Sequence, residues 1–273
     1  MLETLRLEGR VAIVTGGGRG LGREMARSLS EAGADVVIAS RTAAQLESTA
    51  DFIAAATGRR PVCIPTNVQK SDECEALVDA TIQRFGKLDI MVNNAGIGDR
   101  RGAGSSIWDL SDEDWLDSIQ VNLFSTFYCT RAASRHMKAR GEGGAILNVA
   151  SGLGMRASVN SLAYGAAKAG VIALTKTTAA QLAGEGIRAN CIVPGFLTQS
   201  PPETEEAKER IRTRGLFNPA LRLGEAWEMG PLAVFLCPEA SSYITGEIFV
   251  IDGGGLAGGI APMGHTAGGP ANG

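Results

Sequence analysis

The chain has 273 residues, is 44% hydrophobic and 20% charged, and has a mean hydropathy of +0.05. That is enough apolar material for a full core, which excludes a wholly disordered chain. A net charge of −3 and a pI of about 5.6 lack the basic excess of a nucleic-acid binder.

Short β-rich runs alternate with helical stretches along the chain. Val11 to Gly16 predicts a buried strand and Leu21 to Glu31 a helix. Asp35 to Arg41 is a second strand, followed by a helix from Ala43 to Thr57. Val62 to Pro65 predicts a third strand and Asp72 to Phe85 a helix. Leu88 to Asn94 is a fourth strand, and one long helical region runs from Ser111 to Arg140. Ala145 to Ser151 is a fifth strand, Ala163 to Leu182 a helix and Ile187 to Gly195 a sixth strand. Pro231 to Leu236 is helical, and Glu247 to Gly254 is a last strand. The strands are continuous apolar runs, as expected when helices cover both faces. Such alternation predicts an α/β, doubly wound parallel sheet: a three-layer α/β/α Rossmann fold in a single domain. No linker interrupts residues 1–256, and residues 257–273 read as a Gly/Ala-rich tail. The polar stretch from Gly195 to Gly215 has the length of an active-site lid.

Five cysteines (Cys63, Cys74, Cys129, Cys191, Cys237) at wide spacing, without C-x-x-C, suggest neither a disulfide framework nor a thiolate metal site. With only His136 and His265, a zinc-hydrolase helix is also disfavoured, so no metal is expected. No apolar run has membrane-spanning length, and MLETLRLEGR lacks the apolar core of a signal peptide. The expectation is a cytoplasmic protein that binds neither membrane nor nucleic acid.

Thr15 is followed by GGGRGLG, from Gly16 to Gly22. Gly16, Gly20 and Gly22 give the spacing G-x-x-x-G-x-G, with Gly18, Arg19 and Leu21 inside the loop. A tight turn with close backbone approach lets a pyrophosphate meet the helix N-terminus, where unpaired N–H groups and the dipole attract anions. A glycine cluster can also be a plain strand–helix turn; its position after a strand and before a helix favours nucleotide binding. A carboxylate about 20 residues further on would receive a bare ribose 2′-hydroxyl. Ser40 and Arg41 stand there instead. Arg41, with Arg19, could pair with a 2′-phosphate, which points to NADP(H) over NAD(H).

Tyr164 and Lys168 are four residues apart on a predicted helix and share a face. Ser151 closes the fifth strand, where ligand sites of such sheets lie. A free tyrosine, with pKa about 10, is a poor base at neutral pH. An ammonium about 4 Å away, at an effective dielectric of about 20, favours its ionisation by up to about 4 kcal/mol; burial opposes part of this. Tyr164 could then exchange a proton with a substrate oxygen that Ser151 also bonds. Taken singly, each residue is more often structural.

The ordered set GGGRGLG, Asn93-Asn94-Ala95-Gly96, Ser151, Tyr164-GAA-Lys168 and Pro194-Gly195 resembles the short-chain dehydrogenases/reductases of the short, single-domain type, from about Leu7 to Gly255. The resemblance implies Tyr164 as general acid/base, Ser151 as donor to the substrate oxygen, and Lys168 as the group that lowers the tyrosine pKa and holds the nicotinamide ribose. It implies Asn122 as the holder of a proton-relay water; the alternative is an amide satisfying neighbouring backbone. Asn94, Ala95 and Gly96 would pass the adenosine ribose, and Pro194, Gly195, Leu197 and Thr198 would wall the carboxamide. Where relatives often carry Asp against adenine, this chain has Asn67, followed by Val68. Where many relatives have threonine five residues after the proline, this chain has Gln199, with Thr198 one earlier. A homotetramer or homodimer is implied, formed through the long helices and the closing strand.

The substrate side is less defined. Trp108, Trp115, Phe124, Gly152 to Arg156, Phe196 and Leu216 could border a pocket. Lys208, Arg210, Arg212 and Arg214 could attract a phosphate-bearing carrier, but the neighbouring Glu203, Glu205, Glu206 and Glu209 favour a salt-laced surface helix. The reading is an NADP(H)-dependent oxidoreductase interconverting a ketone and a secondary alcohol. Reduction of 3-oxoacyl carrier protein and sugar or polyol oxidation are narrower alternatives, and a non-catalytic NADP(H) sensor is the rival of another class. Arg131, Arg135, Lys138 and Arg140, the sole basic footprint, fit a solvated helix face.

Overall fold

The computed structural model describes residues 2–98, 106–158 and 161–258. The predicted tail therefore lies outside the described residues from 259 onward. In chain order the elements are β1 (Val11–Thr15), α1 (Gly20–Glu31), β2 (Asp35–Ser40), α2 (Ala43–Thr57), β3 (Val62–Pro65), α3 (Ser71–Phe85), β4 (Ile90–Asn93), α4 (Asp112–Ile119), α5 (Ser125–Arg140), β5 (Gly144–Val149), α6 (Leu162–Leu182), β6 (Ile187–Pro194), β7 (Leu197–Thr198), α7 (Glu205–Gly215), β8 (Gly224–Glu225), α8 (Met229–Leu236), β9 (Ile248–Ile251) and α9 (Gly255–Gly258).

Seven strands form one parallel sheet in the order β3-β2-β1-β4-β5-β6-β9. Strand side chains alternate between two cores. Ala12 and Val14 point to the side packed by Met25 and Leu29 of α1, Leu46 and Ile53 of α2, and Met229 and Leu236 of α8. Ile13 points to the opposite side, packed by Leu77 and Val78 of α3, Cys129 and Met137 of α5, and Ala179 of α6. Each fully buried Leu, Ile or Met side chain contributes about 1.5–3 kcal/mol. Both faces being covered explains why the strands are apolar without alternation.

The strand order turns back between β1 and β4, since the chain runs outward to β2 and β3 before returning. The connections that leave these two strands diverge at their carboxyl ends and open a crevice there. This topology positions the site.

The helix predicted without interruption from Ser111 to Arg140 is in fact two helices. A π-helical turn, Gln120–Phe124, separates α4 from α5. Such turns widen the helix by one residue and occur often at functional sites. The polar stretch after Gly195 contains the expected salt-laced surface helix, α7, and one feature beyond the predicted set, a small separate ladder in which Leu197 and Thr198 pair with Gly224 and Glu225.

Candidate active site

A cleft of about 780 Å³ opens at the carboxyl ends of β1 and β4. It brings together the glycine loop, Ser40 and Arg41 after β2, Asn67 and Val68 after β3, Asn94 to Gly96 after β4, and Tyr164, Lys168 and Pro194.

The glycine loop is shaped by close backbone contact. Gly16 has φ +66, a left-handed conformation that favours glycine. A Cβ on Gly22 would stand 2.3 Å from the Gly16 carbonyl oxygen and 2.5 Å from Asn94 Nδ2. Asn94 fastens the loop to β4, its Nδ2 donating to the Thr15 carbonyl at 2.9 Å. The Thr15 hydroxyl accepts from the backbone N–H of Asn94 and of Ala95, both at 3.1 Å, and donates to the Val92 carbonyl at 3.3 Å. Thr15 thus holds the two strands together at the crevice. From the sequence Thr15 is named only as the residue before the glycines, with no role given to it.

The charged side chains that line the cleft are Arg19, Arg23, Arg41 and Lys168, with no carboxylate among them. Arg23 is engaged by Glu24 and lies over the Phe52 ring. Arg19 and Arg41 are exposed, and neither forms an ion pair with any described residue. The buried Ser40 hydroxyl, 3.0 Å from where a Cβ on Gly18 would stand, has no hydrogen-bond partner. A buried polar atom without a partner costs about 1–3 kcal/mol unless a ligand satisfies it. Together with a backbone cradle that a Cβ would fill, this orphan hydroxyl fits a nucleotide in the cleft. Asn67 Oδ1 accepts from the Gln69 N–H at 3.2 Å, which closes an Asx turn beneath Val68.

Lys168 is 3% exposed, and its Nζ donates to the Val149 carbonyl at 2.9 Å. Burial pushes its pKa down to about 8, and nearby Cys191 opposes this weakly. Its Nζ lies 5.7 Å from the centroid of the Tyr164 ring. The two share a face of α6, as their spacing predicts. Ser151 caps the 3₁₀ turn Gly152–Gly154, its Oγ accepting from the Leu153 N–H at 3.2 Å.

Asn122 lies fully buried in the π turn. Its Oδ1 accepts from the Ile97 N–H at 3.1 Å, and its Nδ2 donates to the carbonyls of Ile97 and Ser118, both at 3.0 Å. The amide therefore locks the segment after β4 against the helix pair. Gly96 passes close beside it; a Cβ there would stand 2.8 Å from Asn122 Oδ1 and 3.4 Å from Lys168 Nζ.

Ser151, Asn122, Gly195, Leu197 and Thr198 stand outside the cleft lining. Gly195 packs on Asp252, Leu197 joins the core beside α1 and α8, and the Thr198 hydroxyl donates to the Gly224 carbonyl at 3.3 Å. Gln199 and Ser200 line the cleft from this loop, and Gln199 Oε1 lies over Gly20. A further buried network lies behind the site: Asn93 Nδ2 donates to Thr130 and to Asn148 Oδ1, and Asn148 Nδ2 donates to Thr175.

Residues 16–255 match the model of a family described as enoyl-(acyl carrier protein) reductase. A 2-dehydro-3-deoxy-D-gluconate 5-dehydrogenase of Escherichia coli is 36% identical over 259 residues, covering 94% of this chain and 99% of that protein. A 3-oxoacyl-[acyl-carrier-protein] reductase of Synechocystis is 36% identical over 252 residues, 91% of this chain and 97% of that one. Among solved structures, a short-chain type dehydrogenase/reductase from Mycobacterium marinum has a TM-score of 0.85 at 31% identity, covering 94% of this chain and 98% of its own. The chain belongs to the short-chain dehydrogenase/reductase family. It is an oxidoreductase of alcohol and ketone groups whose cofactor is a nicotinamide dinucleotide, NAD or NADP.

Proposed function

We propose that this oxidoreductase uses NADP(H) to interconvert a ketone and a secondary alcohol, with Tyr164 moving the proton. The observation that carries the NADP(H) preference is the charge of the cleft: Arg19 and Arg41 line it together with the partnerless Ser40 hydroxyl, and no carboxylate lines the wall. A 2′-phosphate would be held by both guanidinium groups, whereas a bare ribose finds no carboxylate acceptor. The glycine loop from Gly16 to Gly22 and the backbone by Asn94, Ala95 and Gly96 would hold the pyrophosphate and ribose. Asn67 and Val68 would border adenine, and Pro194, Gly195, Leu197 and Thr198 would support the carboxamide side, with Gln199 and Ser200 facing it.

When bound, the nicotinamide donates or accepts the hydride. The chain supplies the proton and the geometry. Tyr164 gives a proton to the carbonyl oxygen in reduction and removes one from the hydroxyl in oxidation. Ser151 donates a hydrogen bond to the same oxygen, its Oγ oriented by the Leu153 N–H. Lys168 brings positive charge beneath the tyrosine and offers the ribose its remaining donors. Asn122 holds the π turn that braces Gly96 and the relay side of the site.

Exposed Trp115, Phe124, Phe127 and Val250 lie on α4, the π turn, α5 and β9. They support a homodimer or homotetramer assembled through those elements. All five cysteines are free, and among the described residues no helix is long and apolar enough to cross a membrane. Free thiols suit a reducing compartment, which supports a cytoplasmic site of action.

Titration of the protein with NADPH and NADH, followed by ketone reduction, tests the reading. NADPH is expected to bind at least about tenfold more tightly, equivalent to about 1.4 kcal/mol. Tyr164→Phe is expected to lose turnover by about 100- to 10,000-fold while NADPH binding stays within about twofold. Equal affinity for the two nucleotides removes the NADP(H) assignment, and an active Phe variant removes Tyr164.

A further inference from the structure

We propose that the substrate carries an anionic group, a carboxylate or a phosphate, bound by Arg156 and Arg214 around Phe196. This rests on the oxidoreductase reading above, because it names the substrate class of the same site.

Three segments converge at Phe196. The ring follows Gly195 in the loop from β6, next to Pro194 of the cleft wall. Arg156 comes from the turn that Ser151 caps, and its guanidinium carbon lies 5.9 Å from the Phe196 ring centroid. That turn is firmly seated. Arg156 N–H donates to the Gly152 carbonyl at 3.1 Å, and a Cβ on Gly154 would stand 2.7 Å from the Lys168 backbone. Arg156 is therefore held in one frame with Ser151. Arg214, on the last turn of α7, places its guanidinium carbon 5.0 Å from the same ring centroid.

The cations of α7 divide by face. Lys208 and Arg212 pair with Glu205 and Glu209 of their own helix, as a salt-laced surface helix should. Arg210 and Arg214, one turn apart, instead line a second cavity of about 500 Å³. Ser200 lines both this cavity and the main cleft, so the two adjoin. Arg156, Arg210 and Arg214 form no ion pair with any described residue. Glu203, the one carboxylate of the cavity wall, forms no ion pair either.

Neither guanidinium has a counter-charge, and an exposed cation–π contact returns only about 0.5–1 kcal/mol. A carboxylate or phosphate reached by both would supply the counter-charge they lack and take paired N–H donors from each. Such an anion would anchor one end of a substrate whose carbonyl meets Ser151 and Tyr164.

The test compares charged and uncharged ketones of matched shape with the NADPH-loaded protein. Levulinate is set against its methyl ester, and dihydroxyacetone phosphate against dihydroxyacetone. In at least one pair, kcat/KM is expected to favour the charged member by about tenfold or more; which pair does so separates carboxylate from phosphate. In Arg156→Gln and Arg214→Gln the preference should fall to within about twofold, and Arg214→Lys should keep part of it. NADPH affinity serves as the fold control and should stay within about twofold. The proposal is overturned if neither charged compound is preferred, whether or not it is turned over, or if the preference survives both Gln substitutions. Reduction of the uncharged ketones without charge preference would leave the oxidoreductase reading standing and remove this one. Failure of the wild-type protein to bind either nucleotide would bring down the oxidoreductase reading itself.

Discussion

Lys168 sets stability against chemistry at a single residue. Its ammonium is buried with one carbonyl acceptor, and burial lowers its pKa from 10.5 to about 8. The folded value lies below the unfolded one, so the native state binds fewer protons between those two pH values. Stability therefore rises as pH goes from about 8 to 10.5, and the full cost of burying the charge is present below about 8. At 1.36 kcal/mol for each pH unit the cost is about 3 kcal/mol; losing the bond to Val149 offsets about 1 kcal/mol of any gain from removing it. Lys168→Met is thus expected to raise the melting temperature of the cofactor-free protein by about 2–8 °C at neutral pH, while turnover is lost. Calorimetry at neutral pH and again at pH 10.5 decides it, since the gain should shrink at the higher pH. Arg41 is exposed and forms no ion pair with any described residue, so the proposed hold on a 2′-phosphate would rest on its charge alone. Arg41→Asp should reverse the nucleotide preference toward NADH, with affinity for NADPH falling by about tenfold or more. An unchanged ratio of the two dissociation constants would show that the 2′-phosphate is bound elsewhere.

Between elements, close approach rather than charge is the controlling quantity. Gly22 lies where α1 begins and where the loop folds back onto β4. Its missing Cβ leaves room for the Gly16 carbonyl and Asn94 Nδ2. Gly22→Ala should cost about 1–3 kcal/mol by overpacking and weaken NADPH binding by about tenfold, read from urea midpoints at unchanged slope and from titration. Gly184→Ala, with open space around it, is the control and should do neither. The strands, the glycine loop and the Tyr164–Lys168 pair were legible in the sequence because their signals are local: an apolar run, a glycine spacing, a four-residue step. The π turn was not. Helical residues continue across Gln120–Phe124 without Pro or Gly, and what fixes the turn is the Asn122 amide clasping Ile97, 25 residues away. Which residues of the loop after Pro194 face the cleft was equally hidden. Leu197 and Thr198 are turned toward the core and Gly224 by a two-residue ladder, leaving Gln199 and Ser200 on the wall. A pairing so short and so distant leaves no periodicity to read. The division of α7 into a self-paired face and a free one follows from helical spacing, but only the neighbouring cavity reveals which face is free.

Across the whole molecule, the two ends of the sheet carry different duties. The site lies at the carboxyl ends of the strands, and the opposite end is fastened by Asp89. This carboxylate is 2% exposed. It accepts from the Val11 N–H at the start of β1 at 2.8 Å, and pairs with Arg10 at 3.2 Å, Lys87 at 3.4 Å and Arg140 at the end of α5 at 3.0 Å. Burial alone would raise its pKa, but the Val11 hydrogen bond and the surrounding cations, Arg140 foremost, hold it below the usual value. The folded value lies below the unfolded one, so its contribution is present above the unfolded value of 3.8 and is lost as pH falls through the folded one. Asp89→Asn preserves the shape but leaves the cations without a counter-charge. Breaking a buried pair in this way costs about 3–5 kcal/mol, and the part exposure of Arg10 and Lys87 places the expected loss at the lower end. Because the residue lies at the far end of β4 from the cleft, kcat per folded molecule should stay within about twofold. Urea unfolding at neutral pH and at pH 3 separates the terms: the gap between variant and wild type should narrow in acid. A gap of equal size at both pH values would mean that the second acceptor oxygen, which the amide lacks, and not the charge, joins β1, β4 and α5. A fall in kcat would mean that the two ends of the sheet are mechanically linked.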